Sequence, residues 1–307
     1  MDFAEFLDEL SDGSKRLAVT KLQRLAKLDS AQRDELERRW SAIDVRRRRR
    51  IVQELVELAE DNVDLDFHSV FLIGLSDSDS DIRLESLRGL WEAESPDLID
   101  SLIDLMENDR DPAVRAEAAL ALGRFVLLSE LGRLRERHFE RVESALRRAI
   151  ESETEARDVR ARAIESIGAY DSAWVRQAIQ NAYESGDHAL KVSAVHAMGR
   201  SAESRWLPLL VRELGSEDAE LRYEAAVAIG QVAEESAIPH LIPLLTDDDE
   251  EVRSAAVAAL GEIGGERAKS ALMEMLDSAS SATRDAAAAA LAEIEFEEDP
   301  LGFRFRQ

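Results

Sequence analysis

The stretch AELRYEAAVAIG (219–230) returns 31 residues later as EEVRSAAVAALG (250–261). Earlier versions read DPAVRAEAALALG (111–123), DVRARAIESIG (158–168) and ALKVSAVHAMG (189–199). One basic residue anchors each: Arg83, Arg115, Arg160, Lys191, Arg222, Arg253 and Arg284, with the last four intervals each 31 residues. A fixed period of roughly 20–50 residues marks a stacked array whose units cannot bury their apolar faces alone.

Within a unit the pattern is that of two helices. Numbered from the basic anchor, apolar residues fall at −1, +3, +4 and +7, as in Val252, Ala256, Val257 and Leu260. The same places hold Val114, Ala118, Ala119 and Leu122, and Leu221, Ala225, Ala226 and Ile229. That spacing makes one helical stripe. A preceding helix supplies its own stripe, for example Ile238, Leu241, Ile242 and Leu245. Four residues before the anchor stands Asp79, Asp111, Asp187, Asp218 or Asp249, placed to accept from the free N–H groups that open the second helix. Pro112 suits the first helical position, Pro208 and Pro239 fall early in first helices, and Pro243 should bend one. Glycine recurs at +8 (Gly123, Gly168, Gly199, Gly230, Gly261), where a missing side chain lets the next unit approach closely.

The pattern D-x-x-[VIL]-R-x-x-A-[AVI]-x-A-[LI]-G resembles the HEAT-repeat family, and its short units are most similar to the subgroup related to phycobilisome lyase subunits. The resemblance covers residues 70–295 and weakens at both ends, where Trp91 stands for the expected Gly and Ser280 and Ala292 replace the Asp and Gly around Arg284. It implies an all-α, right-handed solenoid of about seven or eight helical hairpins, with second helices lining a concave face and Asp and Arg forming a ladder along it. Residues 1–60 are expected to form an N-terminal helical cap, 61–295 the array and 296–307 a tail. In the cap, 14–28 is expected to be an amphipathic helix opened by Ser14, 30–43 another, and Asp44, Arg48, Ile51, Val52 and Leu55 a degenerate unit. The 45-residue interval from Arg115 to Arg160 holds an insertion near 124–138, as an extended helix or an additional short one.

Charge narrows the partners. The net −25 lies wholly in residues 61–307, because residues 1–60 hold 13 basic and 13 acidic side chains. A field of that sign repels nucleic acid and anionic membranes and favours basic partners; solubility or salt adaptation would produce the same balance. The run Arg46–Arg50 points around most of a helix circumference, so it reads as a solvated or intramolecularly paired face rather than a nucleic-acid grip. The chain has no Cys, which excludes disulfides and thiolate sites. Its five histidines show no HxH or HExxH spacing, and none precedes a Glu, so no metal site is expected and the His-Glu iron ligands of deoxyhypusine hydroxylases are missing. The acidic array lacks the basic groove that HEAT-like DNA glycosylases need. No stretch approaches membrane-spanning length, and a cytoplasmic location is expected.

These features point to a non-catalytic protein-binding scaffold or adaptor, without cofactor, whose partner is a protein or extended peptide of basic character. The alternative implied by the resemblance is a bilin-lyase-like enzyme subunit acting with a second chain. Positions +2, +5 and +9 of the second helices should face a ligand, which nominates Arg124, Arg162, His196 and Arg200, flanked by Trp91 and Tyr223. Trp91 could equally fill space at a capping unit. In the tail, Phe303 and Phe305 alternate with Arg304 and Arg306, and either dock on the last unit or bind elsewhere.

Overall fold

The computed structural model describes residues 2–278 and 281–298, and all regular structure among them is helical. The chain divides into two compact units, residues 1–159 and 160–307. The first contains α1 (Phe3–Ser11), α2 (Val19–Leu22), α3 (Ser30–Trp40), α4 (Val45–Asp61), α5 (His68–Gly74), α6 (Ser80–Gly89), α7 (Leu98–Asn108), α8 (Pro112–Glu130) and α9 (Glu136–Glu151). The boundary falls within α10 (Arg157–Ile167). Then follow α11 (Ala173–Glu184), α12 (His188–Arg200), α13 (Leu207–Glu213), α14 (Ala219–Val232), α15 (Ile238–Leu241), α16 (Glu250–Ile263), α17 (Gly265–Ser278) and α18 (Ser281–Glu298).

In the first unit α4, α6 and α8 stand in a row, with α5 packed on α6 and α7 on α8. In the second, α12, α14, α16 and α18 form the row, and α11, α13, α15 and α17 each pack on the second helix that follows. The architecture is therefore an all-α stack of two-helix repeats within each unit. The apolar stripes named above at Arg115, Arg222 and Arg253 are buried throughout. Five second helices open on an aspartate: Asp79 accepts from the Ile82 N–H, Asp111 from Ala113, Asp187 from Leu190, Asp218 from Glu220 and Asp249 from Glu251.

Glycine at +8 sets how closely the second helices approach. A Cβ on Gly168 would lie 2.9 Å from the Ala197 Cα, one on Gly199 2.6 Å from the Ala228 Cα, and one on Gly230 3.0 Å from the Ala259 Cα. The obstacle is backbone and cannot rotate away. Gly199→Ala gains about 1 kcal/mol of helix propensity, but separating α12 from α14 costs about 2–3 kcal/mol of packing. A net loss of about 1–2 kcal/mol in urea denaturation is expected. Gly215→Ala, with its nearest obstacle at 3.6 Å, should stay within about 0.5 kcal/mol of the parent.

Three local expectations need correction. The segment 14–28 is not one amphipathic helix: only Val19–Leu22 is α-helical, followed by a 3-10 turn at Gln23–Leu25. Ser14 caps nothing, because its N–H (3.0 Å) and its hydroxyl (2.5 Å) both donate to Asp12 Oδ1, holding the backbone in a local turn. Downstream, Lys27 adopts φ +53 and donates its N–H to the Asp66 carbonyl, which stops the chain coiling further. Residues 30–43 are helical only to Trp40, after a capping box between Asp29 and Gln32. Pro243 breaks its helix rather than only bending it: α15 ends at Leu241 and a 3-10 segment carries Ile242–Thr246, so Ile242 is exposed rather than in the stripe. Past Arg115, α8 continues to Glu130, and a left-handed Gly132 turns the chain towards α9. Phe303 and Phe305 lie outside the described residues.

Candidate functional site

The recurring basic residues sit between consecutive inter-helix turns. Arg83 donates one guanidinium N–H to the Asp77 carbonyl of its own turn (2.8 Å) and two more, at 2.7 Å each, to the Asp109 carboxylate of the next. Arg222 repeats this with the Ser216 carbonyl (3.0 Å) and Asp247 (2.8 and 2.7 Å). Arg115 takes the Asp109 carbonyl and Glu155. Arg48, in the degenerate unit, is buried against Asp77. For Arg48, Arg83 and Arg222 the acceptor is thus not the cap aspartate but the acid two residues before it, while Arg115 takes Glu155, two residues before α10 begins. The same acid's Oδ1 accepts from the cap residue's N–H: Asp79 to Asp77 (3.0 Å), Asp111 to Asp109 (2.9 Å), Asp249 to Asp247 (2.9 Å). The D-x-D turn therefore joins helix capping to unit stacking. Hydrogen bonds from Arg222 hold the Asp247 carboxyl below its ordinary value. A bidentate pair repeated along the array is a structural ladder.

Where serine replaces the first aspartate the ladder changes chemistry. Ser216 caps the Asp218 N–H but offers Lys191 no carboxylate. Lys191 instead reaches Glu213, at the end of α13, at 2.8 Å. Glu213 also accepts from the Tyr183 hydroxyl and from Arg212. Burial followed by the Glu213 hydrogen bond pushes the Tyr183 phenol up to about 12. Burial acts to raise Glu213, yet hydrogen bonds from Lys191, Tyr183 and Arg212 outweigh it and hold the carboxyl below its usual range. Neither the D-x-D acids nor this buried glutamate was singled out in the sequence; the signal available was an acid or serine two residues before Asp79, Asp111, Asp187, Asp218 and Asp249.

The nominated residues divide by unit. In the first, Trp91 is 65% exposed and lines a cleft of about 310 Å³ with Val63, Leu65, Phe71, Glu60 and Glu92. Arg124 is largely buried: it donates to the Leu90 carbonyl at 2.8 Å and lies 5.4 Å from the Phe125 ring centroid. Burial holds its guanidinium below the ordinary arginine value. It therefore ties α8 to the end of α6. Beside it, Leu120, Leu127 and Leu131 leave an exposed apolar stripe on α8. In the second unit, Arg162 donates to Glu165 at 2.7 Å, and Glu165 accepts from Ser193 at 2.6 Å. His196 meets Glu224 at 3.3 Å. These contacts pair +5 of one second helix with +2 of the next, so side chains of α10, α12 and α14 form one polar row. Arg200 is half-buried and Tyr223 is exposed on the same helices.

Four of the five arginines in the run 46–50 bind this chain's own oxygens. Arg47 donates to the Lys15 carbonyl (2.7 Å), Arg48 to Asp77 (2.8 Å), Arg49 to Asp79 (2.6 Å), and Arg50 pairs with Glu54. His188, Asp218 and Glu220 bring possible ligand atoms within 4.8 Å of one another. Asp218 already caps α14 and accepts or shares a proton with His188, and that hydrogen bond holds its carboxyl below the usual range. Among the described residues no helix is long and apolar enough to cross a membrane.

The family model for HEAT repeats matches residues 69–152 and 207–292, more than half of the chain. No curated protein matches. Among solved structures, the complex of CpcE and CpcF of phycocyanin lyase from Nostoc sp. PCC7120 is similar at 16% identity, covering 92% of this chain and 97% of that one, with a TM-score of 0.55. An engineered protein is 21% identical over 96% of this chain and 89% of its own, at a TM-score of 0.40. Importin beta is 14% identical over 95% of this chain and 46% of its own, at 0.49. At 16% identity the likeness to the lyase complex is one of fold alone.

Proposed function

This chain belongs to the HEAT-repeat family, and from that premise we propose that it is a non-catalytic scaffold that binds a protein or extended peptide of basic character. The observation that carries this reading is the polar row across α10, α12 and α14. A catalytic site converges on one point, whereas this row repeats the same register from helix to helix, with Arg162 and His196 in it and Arg200 and Tyr223 on the same helices. Such a surface suits main-chain and side-chain contacts with an extended segment. The net −25 supports a basic partner, recruited by charge and oriented by a few anchors. Exposed Tyr223, and separately Trp91 in the first unit, have the character of such anchors. Arg124 acts on this reading by holding α8 in place, and does not touch the partner.

The test is capture from native extract by the full chain and its variants. Tyr223→Ala and the charge reversals Arg162→Glu and Arg200→Glu are each expected to reduce retention of one stoichiometric protein about tenfold, with unchanged circular dichroism. Retention should weaken as salt rises. Equal retention by all three variants would sink the assignment of this face.

A further inference from the structure

We propose that the cleft beside Trp91, within residues 1–159, seats one arginine side chain of the basic partner. The choice of ligand rests on the reading of a basic partner, but the site lies in the other unit from the polar row and stands on its own geometry. Three elements meet there. α4 supplies Ala59 and Glu60 near its end, with Val63 just beyond it. The start of α5 supplies Phe67 and Phe71, and the turn after α6 supplies Leu90, Trp91 and Glu92. Phe67, Phe71 and Leu90 are buried and make an apolar floor. A Cβ on Gly89 would lie 2.4 Å from the Phe71 ring, so the missing side chain is what lets that ring close the floor. Because α6 has already ended at Gly89, the Trp91 indole stands clear of the stack, and Val63 in the same lining is 87% exposed. At about 310 Å³ the space is at the low end for a ligand site and takes a side chain rather than a helix or a strand.

Charge specifies the occupant. The lining holds Glu60, Asp66 and Glu92, one histidine (His68) and no Lys or Arg. Asp66 is engaged, since its Oδ1 accepts from the His68 N–H at 2.8 Å and so answers the opening of α5. Lys27 meets Asp66 through its backbone N–H, given to the Asp66 carbonyl at 2.7 Å. Glu60 and Glu92 are exposed and, among the described residues, have neither an ion pair nor a side-chain hydrogen bond. Arginines on neighbouring turns are engaged elsewhere: Arg88 with Glu85 at 2.7 Å, Arg133 with Glu94 at 2.7 Å, and Arg124 with the Leu90 carbonyl at 2.8 Å. α4 and α6 both end at the cleft, and the negative ends of their dipoles favour a cation there independently of the carboxylates. A guanidinium uses every part of the site. Its face stacks on the indole, its N–H fork donates to carboxylates, and its methylene stem lies on the apolar floor. Lysine carries the same charge without the planar face or the fork.

The test uses the full chain labelled with 5-fluorotryptophan and followed by fluorine NMR. Trp40 and Trp206 are buried and serve as references, and Trp91→Phe assigns the cleft signal. The probe is the peptide acetyl-Gly-Arg-Gly-amide, with its citrulline counterpart, alike in shape and uncharged, as control. The arginine peptide is expected to shift Trp91 saturably, with a Kd on the order of 1 mM, and to leave Trp40 and Trp206 in place. The citrulline peptide should bind about tenfold more weakly. Glu60→Gln/Glu92→Gln should weaken the arginine peptide about tenfold, with unmoved Trp40 and Trp206 signals reporting an intact fold. A Trp91 signal that ignores the arginine peptide, or that answers both peptides equally, would overturn the proposal. One that moves on dilution without peptide would assign the cleft to a second copy instead. Capture from extract and peptide binding by the purified chain can each fail alone, so loss of one reading is distinguishable from loss of the other.

Discussion

Replacing Asp77 by alanine is expected to destabilise residues 1–159 by about 3–5 kcal/mol. The Asp77 side chain is 2% exposed and satisfies five donors: Trp40 Nε1 at 2.7 Å, Arg48 Nε at 2.8 Å and Nη2 at 3.1 Å, the Asp79 N–H at 3.0 Å and, more distantly, the Ser78 hydroxyl at 3.5 Å. Alanine would leave Arg48, itself 8% exposed, as a charge without its counter-ion in the interior. Stranding a buried charge costs more than the intact pair contributes, since the desolvation of the arginine is no longer offset. Urea denaturation followed by Trp40 emission reads the loss. The pair Arg48→Met/Asp77→Leu should recover most of it, because two apolar groups strand nothing. A loss of less than about 1 kcal/mol for Asp77→Ala would show that water reaches Arg48 and that the network does not lock α4 to the turn before α6.

Glu213→Gln is expected to cost residues 160–307 about 2–3 kcal/mol at neutral pH. The figure is smaller than for Asp77 because Lys191 is 28% exposed and Arg212 62% exposed, so both recover some hydration. The cost carries a pH signature. The folded carboxyl lies below its ordinary value of 4.5, with burial opposed and outweighed by Lys191, Tyr183 and Arg212. A carboxyl depressed on folding contributes stability that is present above its unfolded value and lost as pH falls through the folded one. The gap between parent and Glu213→Gln should therefore be widest at neutral pH and close on acidification below about 4.5. A gap that stays constant through that window would mean that shape, and not charge, is what glutamine disturbs.

The cap aspartates and the buried stripes were legible because both depend on contacts within one helix. Asp249 sits at the opening of the helix it caps, and Val252, Ala256, Val257 and Leu260 follow from one helical period. The basic anchor was equally conspicuous, yet its acceptor was misplaced. Arg83 lies four residues from Asp79 in sequence but pairs with Asp109, 26 residues away, and Asp109 stands two before its own cap. Nothing in a single repeat singles out that position, and serine occupies it at Ser185 and Ser216. Lys191 makes the same point: the one lysine among the arginines marks the unit where the acceptor moved to Glu213.

The candidate face was partly legible for a related reason. Counting +2, +5 and +9 selects residues off the apolar stripe, and it did collect Arg162, Ser193, His196 and Glu224. It also collected Arg124, which is drawn into the protein by the Leu90 carbonyl. Helical period alone determined that this chain stacks hairpins, which face of each is buried, and where each second helix begins, because those depend on neighbours three and four residues apart. Only the tertiary structure decided which acid answers each arginine, which exposed position is a tether, and that Pro243 breaks its helix. The pairings depend on the offset between adjacent hairpins, which in residues 160–307 is limited by how closely Gly168, Gly199 and Gly230 let one backbone approach the next, and the break depends on the N–H that Pro243 lacks.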